Sequence, residues 1–315
     1  MNFHATGIDV SHWQGTPDFK KVKASGRNFV IVKLTNGLTT DAQAANNIKN
    51  AKAAGLDVGV YHFINALNVT QAREQADYFI KTVKQFLPLS YPVALDIEEF
   101  TVNGKPYYGS RGITSAQIRA IAQAWISAVL AAGFYVVLYT NKDWALNVLE
   151  IKKRPQEWGR VGIWYARYTG NAGVVDDVGE LGRAAGIIQY SSTASVSGVS
   201  GNVDVDAAKY NYPAIIKAQG QNGYTKPPVI KSDTSGVLKM TKNGVYQLKT
   251  NGPEGVKVVS GNSAVAIVIP RKHREGDADY WFIVAVGDVG SECGIYVSGP
   301  GVDSFRAFIV RVVGK

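Results

Sequence analysis

Over the first two hundred residues, short runs of β-branched and aromatic residues alternate with longer stretches whose apolar positions recur every three or four residues. The short runs, bounded by turn-forming residues, read as strands; the longer period reads as helices with one buried face. Strands are predicted over residues 7–11, 29–35, 57–64, 92–98, 135–141, 162–168, 186–191 and 202–206, and helices over 41–54, 70–85 and 114–132. In the last helix Thr114 or Ser115 can cap the N-terminus, and Gly133 can end it with positive φ. Strands separated by helices predict βα units around a largely parallel sheet, and eight of them predict an α/β, TIM-like barrel. The connections after Asn141 are shorter and less regular, so the helical ring should be incomplete on that side.

The pattern changes after Pro213. Residues 214–219 read as a brief helix that Gly220 can end, and 221–228, closing on Pro227-Pro228, read as an extended linker. Beyond it come short alternating strands separated by Asn243-Gly244, Asn251-Gly252, Gly261-Asn262 and Gly287-Asp288, a spacing that predicts a small antiparallel sandwich or barrel. The expected division is a barrel over 1–220, a linker over 221–228 and a β-rich domain over 229–315. A length of 315 residues suits one barrel and one small module.

Charge and cysteine usage narrow the partners. A net charge of +9 favours encounter with something anionic. The basic residues are scattered, with Lys20-Lys21, Lys152-Lys153-Arg154 and Arg271-Lys272 the short clusters, and no nucleic-acid motif accompanies them, so nucleic acid is not expected. Cys293 is the single cysteine, which excludes an intrachain disulfide and cysteine metal sites and fits folding in a reducing cytoplasm. The start has no signal-peptide pattern and no stretch reaches the ~18 apolar residues of a membrane span, so synthesis in the cytoplasm without membrane insertion is expected. His4, His12, His62 and His273 lack metal-site spacing. No metal and no cofactor are expected, and no feature of the sequence fixes an oligomeric state.

The densest chemical signal is Pro92-Val93-Ala94-Leu95-Asp96-Ile97-Glu98-Glu99, an apolar strand ending in acids. Residues i and i+2 of a strand share a face, with Cα atoms about 6.6 Å apart at ~3.3 Å rise per residue. Asp96 and Glu98 would therefore share the barrel mouth, where strand C-termini carry catalytic groups. Two carboxylates in one cleft cannot ionise with equal ease, which supplies a general acid beside a charged stabiliser. Asp9 and Asp204, from the first and last strands, become neighbours when a barrel closes. Aromatic and polar residues recur at the other strand ends: Tyr61-His62-Phe63, Tyr139-Thr140-Asn141, Trp164-Tyr165-Ala166-Arg167 and Gln189-Tyr190-Ser191. Such a lining suits sugar rings. No serine sits at a strand-to-helix elbow, so serine or cysteine nucleophilic catalysis is not expected.

These segments, with Gly7-Ile8-Asp9-Val10-Ser11-His12-Trp13-Gln14-Gly15, Phe29-Val30-Ile31-Val32-Lys33 and Gly201-Asn202-Val203-Asp204, fall in the order seen in glycoside hydrolase family 25, which the chain resembles over residues 4–212. These are the Chalaropsis-type lysozymes common among phage endolysins. The resemblance implies an irregular β/α barrel that hydrolyses the β-1,4 bond between N-acetylmuramic acid and N-acetylglucosamine. It implies Glu98 as proton donor, with Asp96, Asp9 and Asp204 completing the acidic site, and Asp96 is expected to stay ionised. Lys33, Tyr61, His62, Phe63, Tyr139, Asn141, Trp164, Arg167, Gln189 and Tyr190 would bind substrate. The implied partners are bacterial peptidoglycan and cell-wall polymers, with the C-terminal domain as wall anchor and release from a host cytoplasm as the route to the wall. One departure stands out: an acid often present in the family after the second strand is Asn36 here. Two other readings stay open on the residues alone, a sugar-binding protein on a degenerate barrel and a chitinase-like or N-acetylglucosaminidase enzyme.

Overall fold

The computed structural model describes residues 3–168 and 179–315, which divide into two units, 1–226 and 227–315. In the first unit all eight expected strands form: β1 (Ala5–Val10), β2 (Phe29–Asn36), β3 (Asp57–Phe63), β4 (Val93–Asp96), β5 (Val136–Asn141), β6 (Gly162–Ala166), β7 (Ile187–Ala194) and β8 (Val203–Ala208). They pair in the order β1-β8-β7-β6-β5-β4-β3-β2, and β1 pairs with β2 to close the barrel. Pairing from β1 through β2 to β7 is parallel, but β8 runs antiparallel to both of its neighbours. The cause is the connection. Only residues 195–202 separate β7 from β8, and a parallel crossover needs a dozen residues or more. Turned this way, β8 presents its first residues at the mouth, where Asp204 stands opposite Asp9, and carries Asp206 one step deeper opposite Gly7.

Helices α1 (Phe19–Ala24), α2 (Ala44–Ala53), α3 (Val69–Val83) and α4 (Ser115–Ala131) surround the β1–β5 side. Their starts are written in the sequence: Asp18 and Asn68 accept from backbone amides of the first turn, and Thr114 with Gln117 forms a capping box. After β5 come a single π-helical turn, Trp144–Val148, and the short α5 (Pro155–Trp158). The helical ring is thus thinner on the β5–β8 side among the described residues.

Alternation along the strands divides two cores. Val30, Val32 and Leu34 of β2 point out towards the helices, whereas Phe29 and Ile31 point into the barrel beside Tyr91, Val137, Tyr139 and Trp164. The interior is tight at its lower end: Phe29 stacks on Tyr91 with centroids 4.2 Å apart, and a Cβ on Gly7 would lie 2.4 Å from the Phe29 ring. Only glycine fits there.

Helix α6 (Tyr212–Gln219) ends at Gly220, and the chain then turns back into the barrel unit. The stretch read from sequence as a linker is corrected here: Asn222 is fully buried, its amide accepts from Tyr135 N (2.8 Å) and donates to Tyr91 O (2.8 Å), and its backbone bonds Gly133 and Leu89. Asparagine suits this position because it also tolerates the positive φ of 53° found there.

The second unit is a sandwich of two four-stranded sheets. One holds β9 (Lys231–Ser232), β11 (Val245–Asn251), β13 (Ala266–Glu275) and β14 (Ala278–Ala285); the other holds β10 (Gly236–Thr241), β12 (Lys257–Ser260), β15 (Glu292–Gly299) and β16 (Val302–Val313). Leu248 and Ile283 from the first sheet share a core with Ile295, Val297, Phe308 and Val310 from the second. All pairs are antiparallel except β10 with β16.

Candidate active site

The inward positions at the C-terminal ends of β1–β7, together with the start of β8, enclose a cavity of about 180 Å³. Asp9, Lys33, Tyr61, Phe63, Asp96, Glu98, Tyr139, Trp164, Gln189 and Asp204 line it. Strand pairing of β4 stops at Asp96, two residues short of the predicted end, because the Ile64 amide makes its last bond there and the chain leaves for a loop. Alternation outlasts the pairing. Ile97 is fully buried on the far side, and Asp96 and Glu98 both reach the cavity.

One side of the cavity is a fixed acid cluster. Gln189 donates through Nε2 to Asp9 Oδ2 (2.8 Å) and Asp204 Oδ2 (3.3 Å), and its Oε1 accepts from Tyr139 (3.0 Å) and Tyr168 (2.7 Å). This web sets the amide's orientation. Trp164 donates through Nε1 to Asp206 Oδ1 (2.8 Å). Burial, and then the Asp206 and Asp204 charges, push the Asp9 carboxyl well above its ordinary range; burial raises Asp206 to about 8 and also lifts Asp204. Asp206 was not singled out from the sequence, although it stands two residues after Asp204 and so on the same face.

On the other side are Asp96 and Glu98. Asp96 is nearly inaccessible, and its Oδ1 has no hydrogen-bond partner. Glu98 is only half-buried, with Asn141 Nδ2 3.4 Å from its Oε2. Burial raises both carboxyls; Glu98 raises Asp96 further, while the Lys33 ammonium lowers both. Asp96 and Glu98 titrate as a pair, in which Lys33 favours loss of one proton and mutual repulsion opposes loss of the second. The half-buried member, Glu98, is the one presented to a ligand.

The adjoining loop is built by a third acid. Glu99 accepts from the backbone amides of Tyr108 (2.8 Å), Gly109 (3.0 Å) and Phe100 (3.3 Å), which holds a small hairpin, Thr101–Val102 with Lys105–Pro106, beside the mouth. Asn103-Gly104, both at positive φ, makes its turn. An Asn-Gly pair is itself a hairpin signal in the sequence.

Four of the proposed substrate-binding residues do not line the cavity. His62 points outwards between the inward Tyr61 and Phe63: its Nε2 donates to Gln75 Oε1 (3.3 Å), its Nδ1 pairs with the Thr35 hydroxyl (2.7 Å), and its ring stacks on Trp125 at 5.4 Å. Burial lowers its pKa to about 3, so the ring is neutral. Tyr190, next to the inward Gln189, turns out to accept from Arg27 (3.2 Å). Arg167 lies past the end of β6 and pairs with Glu180 at 3.3 Å. Asn141 acts through Glu98. Among the described residues no group of histidine, cysteine and carboxylate side chains is arranged to hold a metal.

A carboxyl pair at the strand ends of a βα barrel, walled by aromatic rings and flanked by amides, defines a class: a hydrolase that breaks glycosidic bonds by acid catalysis. The family model for glycosyl hydrolases family 25 matches residues 8–199. An autolytic lysozyme from Clostridium acetobutylicum is 29% identical over 254 residues, spanning 79% of this chain and 69% of that protein. Lysozyme M1 from Streptomyces globisporus is 31% identical over 214 residues, 65% of this chain and 67% of that one. Among solved structures, the bacterial lysozyme of Streptomyces coelicolor superposes with a TM-score of 0.55 at 28% identity, over 68% of this chain and 96% of its own. The chain belongs to glycosyl hydrolases family 25, and it is a glycoside hydrolase of the lysozyme kind.

Proposed function

We propose that this enzyme cleaves the β-1,4 bond between N-acetylmuramic acid and N-acetylglucosamine in bacterial peptidoglycan, with Glu98 as the acid that protonates the leaving oxygen. The observation that carries this reading is the pairing of half-buried Glu98 with buried Asp96 at the cavity, under the charge of Lys33. A raised pKa keeps a proton on Glu98 for donation. The pair keeps its one proton on Glu98, so Asp96 meets the positive charge growing at the anomeric centre as a carboxylate and stabilises it. Gln189 holds Asp9 and Asp204 in place opposite. Supporting the choice of glycan, a modular autolysin from Streptococcus pneumoniae, solved with a synthetic peptidoglycan ligand, is 27% identical with a TM-score of 0.55 over 64% of this chain and 46% of its own. The test is the new reducing end: borohydride reduction after digestion should yield muramitol. Glucosaminitol in its place would make this a glucosaminidase, and no new end at all would leave a sugar-binding protein.

The finer reading is that of an endolysin whose second unit holds it on the wall. The sandwich has its own core, and Tyr280 projects from the sheet opposite Trp281 and Ile283, with Arg271 5.6 Å from its ring centre. An anchoring unit raises the enzyme's effective concentration at an insoluble substrate. Residues 227–315 should sediment with purified walls; failure to do so would leave this unit a role in assembly or stability.

A further inference from the structure

Lys33 belongs to two cavities. It lines the acid cavity, and it also lines a second one of about 430 Å³ shared with His12, Asn36, Thr39, Asp41 and Asn65. The second cavity lies between a one-turn helix after β1, His12–Gln14, and the hairpin that Thr39–Thr40 makes with the end of β2. Among the described residues no carboxylate lies within ion-pair distance of Lys33; its Nζ stands 4.7 Å from the centre of the Phe63 ring. The acid of that cavity, Asp41, is fully engaged: Oδ2 takes the His12 ring (2.7 Å) and backbone amide (3.2 Å), and Oδ1 takes the Gln43 amide (3.0 Å). Asn36 and Asn65 are neutral, and they contact each other at 3.4 Å. The cavity thus offers the Lys33 ammonium, which acts on Asp96 and Glu98 without a direct ion pair, together with amides and a hydroxyl, to whatever leaves the acid cavity on this side.

We propose that this second cavity is a subsite for a carboxylate-bearing branch of the glycan, with Lys33 as its counterion and Asn36 and Asn65 as hydrogen-bond partners. The inference rests on the proposed muramidase reading, since the muramyl residue is the sugar that carries such a branch. The shared chemistry is a carboxylate, with two sources: the free lactyl group of a peptide-free strand, or the carboxyls of an attached peptide. A fixed charge-assisted hydrogen bond is strong enough to favour an acidic branch over its neutral amide by about tenfold or more.

The experiment measures kcat/KM for two pairs of soluble strands, peptide-free and peptide-bearing, each with carboxylates free or converted to amides. The reading is the ratio within each pair. We expect a free-to-amidated ratio of about tenfold or more in at least one pair; the pair that shows it identifies the source. Lys33→Gln should bring that ratio close to one, Lys33→Arg should retain it, and Asn36→Asp should lower it by placing a carboxylate against the same ammonium. Lys33 also acts on Asp96 and Glu98, so absolute rates will move, but the ratio cancels that effect. Melting curves exclude misfolded variants. A wild-type ratio near one in both pairs, or a ratio that Lys33→Gln leaves intact, overturns the subsite. If no strand is turned over, the muramidase reading fails instead; the same ratio is then read from dissociation constants of the Glu98→Gln variant.

Discussion

The two units bury different things. Of the thirteen buried polar or charged side chains among the described residues, twelve lie in the barrel unit, Asp9, Asp96, His62, Gln189 and Asp206 among them; the sandwich buries Thr250 alone. Burying a polar group without full compensation costs free energy, and burying a carboxyl moves its pKa. A sandwich closed by Leu248, Ile283, Ile295 and Phe308 shows that a fold of this chain can do without such groups. The barrel's buried acids are therefore not what folding requires. They are held there by packing that the helices and the outer faces of the strands supply: Asp9 and Asp96 line the acid cavity, where raised pKa values are useful, and Asp206 is bonded to Trp164 of its wall.

The comparison breaks most sharply at Glu98. Glu98→Gln keeps the shape and the Asn141 contact but has no proton to give, so kcat should fall by ~10²–10⁴ with the melting temperature nearly unchanged. A folded variant that retains most of its turnover would assign the acid elsewhere. His62 is the opposite kind of buried polar group. His62→Ala should remove a stacked ring and the partner of the buried Thr35 hydroxyl, leaving Gln75 its bonds to Asn65, and cost about 2–4 kcal/mol in denaturant unfolding, while KM for soluble strands stays close to wild type. A large rise in KM with unaltered stability would return His62 to the substrate site.

These two residues also show what the sequence made legible. All eight strands could be read, because β-branched runs between helical periods have few alternatives. The acid pair could be read too, since a D-x-E at a strand end survives errors of a residue or two. Inside and outside were less well resolved. Tyr61-His62-Phe63 and Gln189-Tyr190 read as blocks of aromatic and polar residues, although side chains on a strand alternate, so part of each block faces the helices. The direction of β8 was hidden for a different reason: its sequence pattern is the same either way, and only the length of 195–202 rules out a crossover. Asn222 could not be anticipated at all, because its four partners come from chain some 90–130 residues earlier.

That asparagine sharpens the boundary between the units. A chain ending at 226 should fold and cleave soluble strands at close to the full rate, whereas one ending at 220 loses the Asn222 bonds and should melt at lower temperature. On intact cells the 1–226 form should be slower than the whole chain by on the order of tenfold if the sandwich anchors it. Equal melting of the two truncations would mean that Asn222 contributes little, and equal lysis by 1–226 and the whole chain would remove the anchoring role.

The smallest expected effect tests the comparison at its root. Asp206 has a pKa raised to about 8 in the folded barrel, chiefly by burial, against an ordinary value near ~4 in an unfolded chain. Between those values the native state holds a proton that the unfolded state has released. The contribution to stability is then complete below about pH 4 and is lost as pH rises through about 8. Asp9 and Asp96, also raised, act in the same direction. Asp206→Asn keeps the acceptor for Trp164 Nε1 and removes the titration. Its melting temperature should exceed that of the wild type by a few degrees at pH 8, at roughly 2–4 °C per kcal/mol for a unit of this size, and the gap should close as pH falls towards 4. The isolated sandwich, with no buried carboxyl among its described residues, should show no such slope. If Asp206→Asn melts in parallel with the wild type across that range, the acid is ionised in the folded barrel, and the account of the cavity as a store of retained protons fails at its deepest member.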